Sequence, residues 1–321
     1  ALLAPADAEM GVDHAPERAL RGIHMHTLHP IEGFFDFWEP GADHLARAEL
    51  VVDWLVKNRG NYLQYPGLDD IIRDDAARDA WADHTRAILA LAHARGVRVG
   101  TGLQLFGQSN LQLAYDLVEA TDADAAAAIA ARLDRIDDVP FDSVQLSFGE
   151  FLGADPATFV ATLDTAVADI RARWPAADVS TVVHMGNYPN LTVTYMSQTL
   201  NYYFLSKFVA DPGVVPWVHS TMYYDLYEDS GGAYAYDTFS EHRGYLYERL
   251  MAGQDVVYFP ETAYWIAFDD SIPTYLPLYV RSRFVDLQRS RQDGASMGFT
   301  ADFGHVLFSS GWEWGYWQND W

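Results

Sequence analysis

From residue 21 onward, short runs rich in β-branched and aromatic residues alternate with longer stretches whose apolar positions recur every three or four residues. A period near two marks a strand and a period near 3.6 marks an amphipathic helix. The first strand is predicted at Arg21 to Leu28, followed by a helix with Leu50, Val51, Trp54 and Leu55 on one face. The second is predicted at Asn61 to Tyr65. Its helix carries Trp81, Thr85, Ile88, Leu89 and Ala92 and stops at Gly96, a residue suited to a left-handed C-terminal position. The third strand spans Val97 to Phe106, and an alanine-rich helical stretch follows from Ala114 to Leu133.

The fourth strand is predicted at Ser143 to Phe148. The helix after it opens near Pro156, shows the stripe Phe159, Leu163, Val167, Ile170 and Trp174, and ends at Pro175. A strand at Val179 to His184 precedes a Tyr-rich helix at Thr194 to Val209. A strand at Trp217 to Tyr223 precedes a helix at Thr238 to Ala252 that stops at Gly253. The seventh strand, Val256 to Phe259, precedes a helix at Thr274 to Arg291. The eighth has two candidates, Ser296 to Thr300 and His305 to Ser309; the second leaves no closing helix within the chain. Strand and helix in regular alternation predict an α/β fold, a (β/α)8 TIM-type barrel over residues 21–321 as a single domain, after an irregular segment 1–20. The alternative is an open doubly wound sheet. Its G-x-G-x-x-G turn follows none of these strands.

Composition narrows the functions. Half the residues are hydrophobic, enough for a sizeable core. Asp and Glu outnumber Lys and Arg by 45 to 21, a formal charge of −24. No basic stripe exists for a nucleic acid or an anionic membrane surface, and no apolar run is long enough to span a bilayer. Cysteine is absent, which removes disulfides, thiolate ligands and cysteine nucleophiles. No charged-then-apolar leader opens the chain, so a mature or trimmed start is expected, with a periplasmic or extracellular location. Trp312, Trp314, Trp317 and Trp321 crowd the other end. Exposed tails are rarely this aromatic, so this segment is expected to pack, and a second chain or domain could complete the barrel.

Barrel chemistry gathers at the carboxyl ends of the strands. Those ends carry His24 and His26, Gln104, Glu150, His184 and Asn187, His219 and Tyr223, then Glu261, Tyr264 and Trp265, with Trp312 and Trp314 near the end of the chain. The first reading is cleavage of a glycosidic bond by the pair Glu150 and Glu261, since one carboxyl can protonate a leaving oxygen while the other attacks or activates water. The placement resembles the clan of retaining glycoside hydrolases with (β/α)8 barrels. That resemblance implies Glu150 as acid/base and Glu261 as nucleophile or stabiliser, with no cofactor. Arg21-Gly22-Ile23-His24 and Ala92-His93-Ala94-Arg95-Gly96-Val97 are also similar to hexosaminidase-like barrels. The chain departs from both families: Gly149 stands where the clan has Asn, and a lone Glu150 where hexosaminidases have Asp-Glu. In this reading His24, His26, Gln104, His184, Asn187, His219, Tyr223 and Tyr264 hold hydroxyl groups of a carbohydrate or other small polar substrate. Trp265, Trp312 and Trp314 form stacking walls.

The second reading is a divalent transition metal such as Zn. His24 and His26 at i, i+2 on a strand point the same way, as joint ligation requires. The set resembles the amidohydrolase superfamily, which implies ligands among His24, His26, Glu150, His184, His219 and Asp302. A third reading is a non-catalytic barrel that keeps its cleft as a binding module or complex subunit.

Overall fold

A computed structural model of the chain describes residues 18–25, 38–107, 114–149, 153–185, 192–221, 223–262 and 277–309. Among them are eleven strands: β1 (Arg21–Met25), β2 (Tyr62–Pro66), β3 (Arg98–Phe106), β4 (Asp116–Val118), β5 (Ser143–Ser147), β6 (Asp178–Val183), β7 (Thr192–Tyr195), β8 (Gln198–Asn201), β9 (Val215–Ser220), β10 (Val257–Thr262) and β11 (Gly304–Ser309). Eight of these, all but β4, β7 and β8, pair in parallel from β1 round to β11 and back to β1, closing a barrel of TIM type. Closure leaves no open edge in the ring.

The outer helices form where capping and apolar spacing agree. Asp74, Asp124 and Asp155 each accept hydrogen bonds from the first-turn amides of α3 (Asp75–His93), α4 (Ala125–Leu133) and α5 (Pro156–Arg173), which otherwise lack partners. The predicted stripe of α5 is buried through Phe159, Leu163, Val167 and Ile170, and α3 buries Trp81, Ile88 and Leu89. Each such side chain contributes roughly 1.5–3 kcal/mol on leaving water. The ring is completed by α1 (His44–Lys57), α2 (Asp69–Arg73), α6 (Ser240–Met251) and α7 (Pro277–Met297).

Inside the barrel, alternate residues of each strand meet. Tyr62, Val182, Trp217, Val257, Phe259, Val306 and Phe308 form one apolar cluster. Small residues make room for them. A Cβ on Gly22 would lie 2.0 Å from the Tyr62 carbonyl oxygen, and one on Gly100 would lie 2.3 Å from the Tyr62 hydroxyl.

Two predicted elements are corrected, and two others are settled or re-bounded. The stretch 114–133 is not one helix: Asp116–Val118 pairs with the protruding end of β3, and α4 starts only after the Asp124 cap. The Tyr-rich helix at 194–209 is instead the β7–β8 hairpin followed by a 3-10 helix at Tyr202–Phe208. Its turn residues Met196 and Ser197 both have positive φ, the geometry of a tight hairpin turn, and Thr192, Val193 and Thr194 favour extended chain. The eighth strand is the second candidate, because the first overlaps the end of α7, which is terminated by Gly298 at φ 84. The helix predicted from Thr274 to Arg291 runs Pro277–Met297 within the described residues. Among these residues, no helix is long and apolar enough to cross a membrane.

Candidate active site at the barrel mouth

The floor of the mouth is a polar layer resting on the aromatic cluster. The Gln64 carboxamide organises it: Nε2 donates to His24 Nδ1 at 2.8 Å and to Gln145 Oε1 at 2.8 Å, and Oε1 accepts from the Tyr62 hydroxyl. That hydroxyl also lies 2.5 Å from Ser143 Oγ. With Nδ1 accepting, neutral His24 carries its proton on Nε2. Burial holds its pKa down at about 3, so it is uncharged at neutral pH. Gln104 donates from Nε2 to the Phe106 carbonyl, 3.0 Å away.

On the other side, β6, β9 and β10 present His184, His219 and Glu261. His184 stacks on His219 with ring centroids 5.4 Å apart and planes 13° from parallel, and Tyr203 meets the His184 ring edge-on. The His184 carbonyl accepts from His242 Nε2 at 3.0 Å. His219 Nε2 lies 3.5 Å from Glu261 Oε1, and both side chains are buried. Burial, reinforced by the Arg283 charge, lowers the His219 pKa to about 3. Burial, then the neighbouring His219 and His242, keeps His184 far below the ordinary imidazole value. The His219–Glu261 contact is therefore an acid beside a neutral imidazole.

Glu261 is on the inward face of β10, two residues beyond Phe259 and in register with Phe308. Its backbone is clamped from outside. Arg283 of α7, fully buried, donates from Nη1 to the Glu261 carbonyl at 3.0 Å and from Nη2 to the Tyr224 carbonyl at 2.5 Å. Arg283 Nε lies 3.3 Å from Asp286 Oδ2, which accepts from the Tyr258 hydroxyl at 2.5 Å. Burial raises the Asp286 pKa to about 6 against the opposing pull of Arg283. Tyr223, half-buried just after β9, stacks near Tyr224 with centroids 4.6 Å apart, and its carbonyl accepts from Ser282 Oγ.

One cavity at this end is lined by His24, Gln104, His184 and His219, together with Gln145, Ser147, Phe259 and Phe308. The last four are absent from the sequence-derived set. The usable signal was parity: Gln145 and Ser147 alternate with buried Val144 and Leu146 on β5. Glu150, His26, Asn187, Tyr264, Trp265, Trp312 and Trp314 lie outside the described residues.

The described members of the metal set, His24, His184, His219 and Asp302, are not arranged to hold a metal ion; His26 and Glu150 lie outside the described residues. Phe259 and Phe308 each contact both His24 and His219, at 5.4–6.0 Å between ring centroids. Asp302 is exposed and precedes β11, at the end of the barrel opposite the mouth. Among the described residues no group of three or more His, Cys, Asp and Glu side chains is arranged to hold a metal ion.

No family model and no curated protein matches the sequence. Solved structures do resemble the fold. An endoglucanase from Pseudomonas stutzeri superposes with a TM-score of 0.53 at 12% identity, covering 93% of this chain and 88% of that one. A GH5_18 protein from Streptomyces cattleya, in complex with GlcNAc, gives 0.56 at 11% identity, covering 92% and 71%. A GH138 enzyme targeting pectin rhamnogalacturonan II gives 0.55 at 14% identity, covering 91% of this chain and 34% of that longer protein. The chain thus shares its barrel fold with structures of glycoside hydrolases.

Proposed function

We propose that the protein cleaves a glycosidic bond at the barrel mouth, with Glu261 as nucleophile or charge stabiliser and Glu150 as acid/base. The observation that carries this reading is Glu261 itself: a carboxyl on the inward face of the seventh barrel strand, 3.5 Å from a neutral imidazole and two residues above an aromatic floor. A carboxylate so placed can stabilise the positive charge that develops at an anomeric carbon. His219, neutral and buried, can hold that carboxyl in place without neutralising it. His24, Gln104, His184 and Tyr223 offer hydrogen bonds to sugar hydroxyls, and Asn187, His26 and Tyr264 extend the set. Phe259 and Phe308 give a ring face an apolar base, and Trp265, Trp312 and Trp314 are proposed to complete the walls. The protein would act outside the cytoplasm.

The test is reducing-end release across a panel of polysaccharides by the wild type, Glu150→Gln and Glu261→Gln. Loss of activity in both variants, with unchanged melting temperature, is expected. Full activity in both would refute the assignment.

A further inference from the structure

The charge pattern of the mouth limits which sugar it can take. All 21 Lys and Arg residues of the chain fall within the described residues. Among the described residues lining the cavity there is no Lys or Arg.

The histidines do not replace the missing cations, because burial keeps His24, His184 and His219 unprotonated at neutral pH. Arg283 is committed to Asp286 and to the carbonyls of Glu261 and Tyr224. What the floor does offer is neutral hydrogen-bonding capacity. Gln104 Oε1, Gln145 Nε2 and His184 Nε2 are buried side-chain atoms of cavity-lining residues with no hydrogen-bond partner among the described residues. A buried polar atom left unpaired is costly, and a sugar hydroxyl, both donor and acceptor, satisfies any of the three.

We infer that the site accepts an uncharged sugar and rejects sugars bearing a carboxylate, sulfate or phosphate group. This rests on the glycosidase reading and adds the substrate class to it. The barrel likeness includes an enzyme targeting pectin rhamnogalacturonan II, so the fold alone does not decide the charge of the sugar. The physical reason is local. An anionic substituent about 6 Å from Glu261, at the effective dielectric of a partly buried site, is disfavoured roughly 100-fold by that one charge. With no Lys or Arg among the described lining residues to pair with, its lost hydration adds to the penalty.

The experiment compares matched neutral and acidic glycans with the full chain: hydroxyethylcellulose against carboxymethylcellulose, and carboxyl-reduced polygalacturonate against polygalacturonate. Both hydrolysis and binding by affinity electrophoresis are measured. The neutral member of a pair is expected to be preferred by about 100-fold, with residual action on the acidic member rising as salt screens the repulsion. In binding, Glu261→Gln should narrow the neutral-to-acidic ratio, because it removes the repelling charge and keeps the shape. Equal or better use of the acidic member would overturn the inference and leave the glycosidase reading intact. Charge-selective binding with no hydrolysis would do the reverse. Failure to bind or cleave any neutral glycan would overturn both.

Discussion

Acidification should unfold this barrel well before its carboxylates as a class are protonated. His24, His219 and His305 have pKa values lowered to about 3 and His242 to about 4, with burial the first cause in each case. An unfolded chain returns each imidazole to about 6.5. Because the folded values are depressed, this contribution is complete above about pH 6.5 and is lost as the pH falls toward 3. Each imidazole neutral in the fold and protonated in the unfolded chain removes roughly 2 kcal/mol by pH 5, so the four together remove roughly 8 kcal/mol. Two carboxyls work the other way. Asp286 and Asp116 are raised to about 6, chiefly by burial, and bind protons in the fold before they would in the unfolded chain. Each restores roughly 1 kcal/mol over the same interval, leaving a net loss of roughly 6 kcal/mol. That is comparable with the entire stability of many domains, about 5–15 kcal/mol. Urea unfolding followed by tryptophan fluorescence near pH 7, 6 and 5 measures it, and the midpoint should fall steeply at each step. His305→Phe keeps a ring in the stack on Tyr258, where the centroids are 5.6 Å apart and the planes 3° from parallel, and should flatten the slope by one proton. An unfolding free energy constant to within about 1 kcal/mol from pH 7 to 5 would refute the reasoning.

Three further outcomes are expected. Glu261→Gln should lower kcat by about 100-fold or more while leaving the melting temperature within a few degrees, because the amide keeps the size of the buried acid; turnover assays and thermal melts on the same preparations check it. Arg283→Met strands the buried Asp286 carboxyl and should cost about 3–5 kcal/mol in urea unfolding, with much of the loss recovered when Asp286→Asn is added. Gly22→Ala drives a methyl onto the Tyr62 carbonyl and should destabilise the β1–β2 pair by about 1–3 kcal/mol, seen as a lower melting temperature.

The sequence by itself determined the alternation of strands and helices, because strand runs, helix stripes and stop signals such as Gly96, Pro175 and Gly253 are local. It also placed His24, Gln104, His184, His219 and Glu261 at or near the carboxyl ends of predicted strands, since chain order in a barrel dictates which strand end a residue occupies. The misreadings at 114–133 and 194–209 arose where a neighbour competed with helix propensity: the protruding end of β3 drew Asp116–Val118 into a strand, and two left-handed residues turned the Tyr-rich stretch into a hairpin. Which side chains touch was decided only by the tertiary structure. Barrel strands are buried on both faces, so their hydrophobicity does not distinguish inside from outside. Register round the ring sets that contact pattern: it packs Phe259 and Phe308 against both His24 and His219, and stacks His184 on His219. The clamp on Glu261 was equally illegible, because Arg283 and Asp286 are an ordinary i, i+3 pair in sequence and become a buried ion pair only when α7 packs behind β10.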